Sequence, residues 1–144
     1  MNVDDLKKFL LKCYSKDLCY PIVRNEGNEN NKCLGMCAII SLIVNDYFGG
    51  VICKIYVDGI DHYFNLIENN IVDLTSSQFN SDVDYKSYQI VDRKKILAND
   101  IKQRYNTLKE RLIKNLLKQI DEEVFNCKTC NKLVDKFPND TTVF

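Results

Sequence analysis

Apolar and polar positions follow two different periods along this chain, and the switches between them divide it into elements. Near the start, Leu6, Phe9, Leu10, Cys13 and Tyr14 recur at helical spacing and predict a first helix, capped by Asp4 and ended before Pro21. The polar stretch Asn25-Glu26-Gly27-Asn28-Glu29-Asn30-Asn31 then reads as a surface loop. From Gly35 onward the sequence is apolar on every side, which predicts a buried helix with Cys37 in its first turn and Gly49-Gly50 as its stop. Short β-rich runs follow at Val51 to Val57, His62 to Ile67 and Ile71 to Leu74. They are separated by Asp58-Gly59 and Asn69-Asn70, pairs that tolerate positive φ, so an antiparallel meander is expected, with a fourth strand near Tyr88 to Val91. Helical spacing returns after Asp92. Ile101, Tyr105, Leu108, Leu112, Leu116 and Ile120 form a stripe widened by Leu117 and Val124, fitting one long helix or two broken near Asn99-Asp100. The expected architecture is α+β: a central helix packed on an antiparallel β-sheet, with N-terminal and long C-terminal helices.

Composition narrows this picture. At 144 residues with 45% hydrophobic content, one core is expected, with residues 1–125 forming a single α+β domain and 126–144 a short cysteine-bearing tail. Twenty basic and 20 acidic residues cancel, so no global field draws in nucleic acid or an anionic membrane. Lys94, Lys95, Lys102, Lys109, Lys114 and Lys118 alternate with Asp100, Glu110, Asp121, Glu122 and Glu123, which describes a solvated helix face. The apolar stripe beside it can pack on the core or on a second copy, leaving a homodimer open. Lysine outnumbers arginine 16 to 4, a bias expected of an AT-rich bacterial or phage genome. No leader pattern and no apolar run of roughly 20 residues is present, so a soluble cytoplasmic protein is expected. Seven cysteines, an odd number without scaffold-like spacing, read as reduced thiols.

The sole histidine, His62, lies 25 residues after Cys37, and the two fall at the start of a helix and of a strand. A thiol activated by an imidazole needs one group of each kind on converging rigid elements. A helix N-terminus adds partial positive charge and free N–H groups beside the sulfur, which favours thiolate. The plain alternatives are a buried cysteine packing as a small hydrophobe and a strand histidine bonded to backbone, Asp58 or Asp61. Asp73 is the candidate that orients the imidazole. A turn at Asn69-Asn70, however, pairs Asp73 with Leu66 and leaves it ~13 Å from His62. A loop centred nearer Ile67-Glu68, or a bulge, brings the two together. Asn65 is the alternative orienting residue, and Asp73 can instead cap the segment from Thr75. Gln78 and Phe79 read as a turn packed under the sheet, and Cys33 as a resolving thiol disfavoured by the intervening Gly35. In the tail, Cys127-Lys128-Thr129-Cys130 resembles half of a zinc knuckle, so structural zinc on Cys127 and Cys130 needs ligands from elsewhere.

Several blocks match a known pattern in order. Gly35-Met36-Cys37-Ala38, Asp46-Tyr47-Phe48-Gly49-Gly50, His62-Tyr63-Phe64-Asn65 and Asp73-Leu74-Thr75 with Gln78-Phe79 resemble the YunG-like family of small bacterial proteins over residues 33–80. The order of cysteine helix, histidine strand and aspartate strand also resembles papain-like and transglutaminase-like thiol enzymes. That resemblance implies Cys37 as nucleophile, His62 as base and Asp73 as the imidazole's partner, with no cofactor required. Met36 stands where the family shows glutamine, and Asn31, six residues before Cys37, sits where papain-like enzymes carry their oxyanion glutamine. The expected function is a cysteine-dependent hydrolase or acyltransferase acting on an amide or ester, with a protein or peptide as substrate. Two alternatives stand beside it: a non-catalytic interaction protein of bacterial or phage origin, and a zinc-stabilised adaptor built on the tail.

Overall fold

The computed structural model describes residues 1–25 and 35–126. Helix α1 spans Val3–Lys12, α2 Cys37–Phe48, α3 Arg93–Ile96 and α4 Asn99–Asn126. The strands are β1 Val51–Val57, β2 Ile60–Ile67, β3 Asn70–Val72 and β4 Gln89–Val91. They form one antiparallel sheet in the order β3-β2-β1-β4. This is the expected α+β arrangement. The tail from Cys127, together with Asn31 and Cys33, lies outside the described residues.

The cap of α1 differs from expectation. Asn2, not Asp4, caps the start of the helix: its side chain accepts the Asp5 N–H at 2.9 Å while the Asp5 carboxylate accepts the Asn2 N–H at 3.3 Å. Those reciprocal bonds require residues three apart, and Asp4 instead sits in the first turn, where its charge meets the helix dipole.

Every residue of α2 from Cys37 to Val44 is buried, because the helix is enclosed by β2 on one side and α4 on another. Ile39, Leu42 and Ile43 are fully inaccessible, each contributing about 1.5–3 kcal/mol of burial. The opposite face of the sheet holds Cys53, Ile55 and Phe64, covered by Val83 and Tyr85. Sheet and helix thus form a layered core, with the start of α2 beside the start of β2.

The second hairpin turns one residue earlier than the asparagine pair suggests. Glu68 and Asn69 take positive φ (50° and 64°), and the register is Ile67 with Asn70, Leu66 with Ile71 and Asn65 with Val72. A left-handed glutamate costs about 1–2 kcal/mol. The offset is that Asp73 now falls in line with Phe64, two residues from His62 on the same face. A hydrogen bond to a charged group contributes about 1.5–3 kcal/mol, so the contacts of Asp73 outweigh the strained turn.

The helical pattern after Asp92 resolves into two helices, interrupted before Asn99. In α4, Tyr105, Leu108 and Leu112 are buried and Ile101 and Leu116 pack against them, whereas Ile113, Leu117, Ile120 and Val124 are exposed. The stripe therefore serves the core only over its first half. No helix among the described residues is long and apolar enough to cross a membrane.

Candidate active site

Cys37 is the first residue of α2, and the residue before it, Met36, makes no side-chain cap. The first-turn N–H groups consequently remain free of a capping side chain beside the sulfur. The turn leading in is built by Gly35, whose φ is 73°. A Cβ there would lie 2.7 Å from both the Tyr20 nitrogen and Val23 Cγ2, so only glycine fits. The Tyr20 N–H donates to the Gly35 carbonyl at 2.7 Å. Arg104, itself buried, donates from Nη1 to the carbonyls of Leu18 (2.9 Å) and Gly35 (3.5 Å) while its Nε pairs with Asp100 at 2.7 Å. The turn that leads into Cys37 is thus held by its neighbours and by α4.

His62 has no solvent-accessible surface. Its Nε2 lies 2.6 Å from Asp73 Oδ2, and its Nδ1 lies 3.1 Å from Gln78 Nε2. Phe79 meets the ring edge-on at 4.8 Å. Asp73 also accepts the Tyr85 hydroxyl at 2.6 Å, the Thr75 N–H at 3.1 Å and the Thr75 hydroxyl at 3.3 Å. Asp73 therefore accepts from Thr75 and meets the imidazole at the same time.

Burial by itself pushes the His62 pKa down. The hydrogen bond with Asp73, then the one with Cys37, and the charges of both groups overcome it and raise the value to about 9. Burial likewise pushes Asp73 up, but its bonds to His62, Tyr85 and Thr75 win and hold the carboxyl below its ordinary value. Tyr85 is held well above the usual phenol range by burial and by the Asp73 carboxylate.

Cys37 opens onto a cavity of about 380 Å³. Its walls include Tyr20, Ile22, Tyr56 and Tyr63, with Gln78 and Arg104 as polar members. Ile22 and Tyr56 stand at the rim, each 74% exposed.

His62 and Asp73 are brought into contact, and Cys37, with its Sγ 4.0 Å from the carbonyl oxygen of Asp61 next to His62, is near enough to raise the His62 pKa. Asn65 is not part of this group: its amide donates to the Ser41 carbonyl of α2 at 2.9 Å, because it points to the sheet face opposite His62. The His62 contacts proposed for Asp58 and Asp61 do not form, and the Asp61 side chain pairs weakly with Lys54 at 3.8 Å. Met36 is buried in the core and offers no donor to the cavity. Gln78 is the residue that pattern reading missed. Its backbone does lie in the expected turn, the 3-10 segment Ser76–Gln78, but its side chain reaches the imidazole. The signal was its place in the block following Asp73. Among the described residues no group of three or more histidines, cysteines and acids is arranged to hold a metal.

A family model described as YunG protein matches residues 2–117, a span holding every residue of this cluster. The chain belongs to the YunG family. The uncharacterized protein YunG of Bacillus subtilis (strain 168) is 30% identical over 89 residues, covering 62% of this chain and 76% of that protein. No solved structure gives a significant match.

Proposed function

We propose that this YunG-family protein is a cysteine-dependent acyl-transfer enzyme of papain-like or transglutaminase-like type, acting on an amide or ester of a protein or peptide. The observation that carries the reading is the buried 2.6 Å contact between His62 and Asp73 next to a thiol at a helix start. With Nε2 committed to Asp73, Nδ1, which accepts from Gln78 in the resting site, is the nitrogen that takes the proton of Cys37 once that contact gives way. The sulfur then attacks the carbonyl carbon, a C–S bond forms, and the carbonyl electrons move onto oxygen. The Cys37 N–H, uncapped at the start of α2, is the backbone donor for that oxyanion. Collapse expels the amine or alcohol, which takes the proton from Nδ1 and leaves a thioester on Cys37. Water or a second amine, deprotonated by His62, releases the acyl group. The apolar cavity wall is suited to the acyl side of the substrate, and no cofactor enters these steps.

The test is alkylation of individual cysteines by iodoacetamide, followed by mass spectrometry across pH, in the natural protein and in His62→Ala. Fast labelling of Cys37 that depends on His62 supports the reading. Labelling unchanged by the substitution refutes it.

The burial of Met36 favours a second reading, since a site without that side-chain donor fits an interaction protein that has kept the fold. In that case Cys37→Ala retains the biological effect in cells, whereas the acyl-transfer reading requires its loss.

A further inference from the structure

Resting on the assignment of Cys37 and His62 as nucleophile and base, the geometry points to Gln78 as a positioning residue that holds the neutral imidazole with its proton on Nε2 by donating to the Nδ1 lone pair.

The argument is an accounting of donors and acceptors. The Gly35 N–H lies 3.1 Å from Gln78 Oε1, and a backbone N–H can only donate. That contact fixes which end of the amide is oxygen. The other end, Nε2, then carries two hydrogens, directed at His62 Nδ1 (3.1 Å) and Thr75 Oγ1 (3.4 Å). The Thr75 hydroxyl passes its own hydrogen to Asp73 Oδ1, and His62 Nε2–H and the Tyr85 hydroxyl donate to Oδ2. The network begins at a group that can only donate and ends at a carboxylate that only accepts. Every bond between them has a single allowed direction, and only the Nε2–H tautomer of neutral His62 satisfies it. Turning the Gln78 amide over would set its NH₂ against the Gly35 N–H and leave that buried donor without an acceptor.

This has a chemical use. The ionisable groups around His62 are Asp73 and Cys37, with Tyr85 behind Asp73, and Asp73 and Cys37 favour the imidazolium. A base that keeps its proton too well is a poor acid in the following step. Once Nδ1 is protonated its N–H faces the NH₂ of Gln78, donor against donor, which disfavours the imidazolium. Gln78 thereby opposes the two groups that favour charge, and couples the imidazole to the Gly35 turn that carries the nucleophile.

The histidine is unique in the chain, so its ring can be observed without assignment. The experiment is a pH titration of the ¹⁵N-histidine-labelled natural protein, Gln78→Glu and Gln78→Met, following the two imidazole nitrogens by ¹H–¹⁵N correlation, with Cys37 alkylation measured on the same samples. In the natural protein the neutral ring should carry its proton on Nε2. Gln78→Glu keeps an acceptor for Gly35 but replaces the donor at Nδ1 by a carboxylate, so the His62 midpoint should rise by about one pH unit or more. The pH profile of Cys37 labelling should move with it. Gln78→Met, which removes the donor to Nδ1 together with the acceptor for the Gly35 N–H, should move the midpoint in the same direction. A neutral ring protonated on Nδ1 overturns the proposal, as does a midpoint unchanged in folded Gln78→Glu. If Gln78→Met does not fold, the natural protein and Gln78→Glu still decide. The underlying assignment fails separately, through Cys37 labelling that ignores His62→Ala, a result that leaves the ring's tautomer untouched.

Discussion

Replacing Asp73 by asparagine preserves shape but removes the charge that holds His62, and its effect on stability can be worked out from the site. The ordinary histidine value is 6.5 and the folded value about 9. Because the folded value is the higher, binding of the proton favours the native state. The contribution is fully present below about pH 6.5 and is lost as pH rises through about 9. The difference of 9 − 6.5 = 2.5 pH units corresponds to about 3 kcal/mol for this fully buried ring. The assay is urea unfolding of the natural protein and Asp73→Asn at about pH 6 and about pH 9.5. Cys13, Cys19 and Cys53 are raised by burial and also weaken the fold at alkaline pH, but they do so equally in both proteins. The informative quantity is therefore the difference between the two pH-dependent losses. The natural protein should lose about 3 kcal/mol more than the variant over this range, and Asp73→Asn should be less stable by about 3 kcal/mol at the lower pH. Equal pH dependence in the two proteins would refute the argument that Asp73 holds a charged His62.

Other expectations follow from single contacts. His62→Ala should slow alkylation of Cys37 by about tenfold or more near neutrality, while buried Cys13, Cys19 and Cys53 stay protected in both proteins, as read by peptide mass spectrometry. Gly35→Ala places a Cβ 2.7 Å from Tyr20 N at a positive φ, and should cost about 2–4 kcal/mol by thermal or urea unfolding. Tyr85→Phe removes the hydroxyl 2.6 Å from Asp73, and should cost about 1.5–3 kcal/mol in the same unfolding assay. Since the Asp73 carboxyl is held low by its partners, stability is present above the ordinary carboxylate range and is lost as pH falls through the folded value. With one partner gone, acid unfolding of Tyr85→Phe should begin at higher pH than in the natural protein.

The elements legible in the sequence were those with a strong local period. The all-apolar run beginning at Cys37 could only be buried, and Asp58-Gly59 could only turn, so α2 and the first hairpin were readable from neighbouring residues. The second hairpin was not. Residue type favoured Asn69-Asn70, yet contacts made by Asp73, a residue outside the turn, outweigh a left-handed Glu68. Whether Asp73 could meet His62 depended on that shift, so the site was legible as three residue types and illegible as a geometry. Asn65 stood beside His62 in sequence but faces the other side of the sheet, which alternation along a strand would have indicated. Gln78 was hidden for a different reason. Its importance lies in which end of its amide faces the imidazole, and that is set by the Gly35 N–H 43 residues earlier.

The two ends of α2 are tied down by residues that come well after it in the sequence, Arg93, Arg104 and Tyr105. Arg104 grips the Leu18 and Gly35 carbonyls before the helix. At its far end Arg93 pairs with Asp46 at 2.6 Å and donates to Leu42 O and Asn45 Oδ1, and Tyr105 donates to Asp46. A nascent chain emerging from the ribosome exposes its thiol, imidazole and carboxylate well before the clamp that aligns them. Alignment of the three side chains then becomes a late event in synthesis, reached only when α4 docks, and a truncated product that stops short of Arg104 carries the thiol, imidazole and carboxylate without the frame that holds the Gly35 turn.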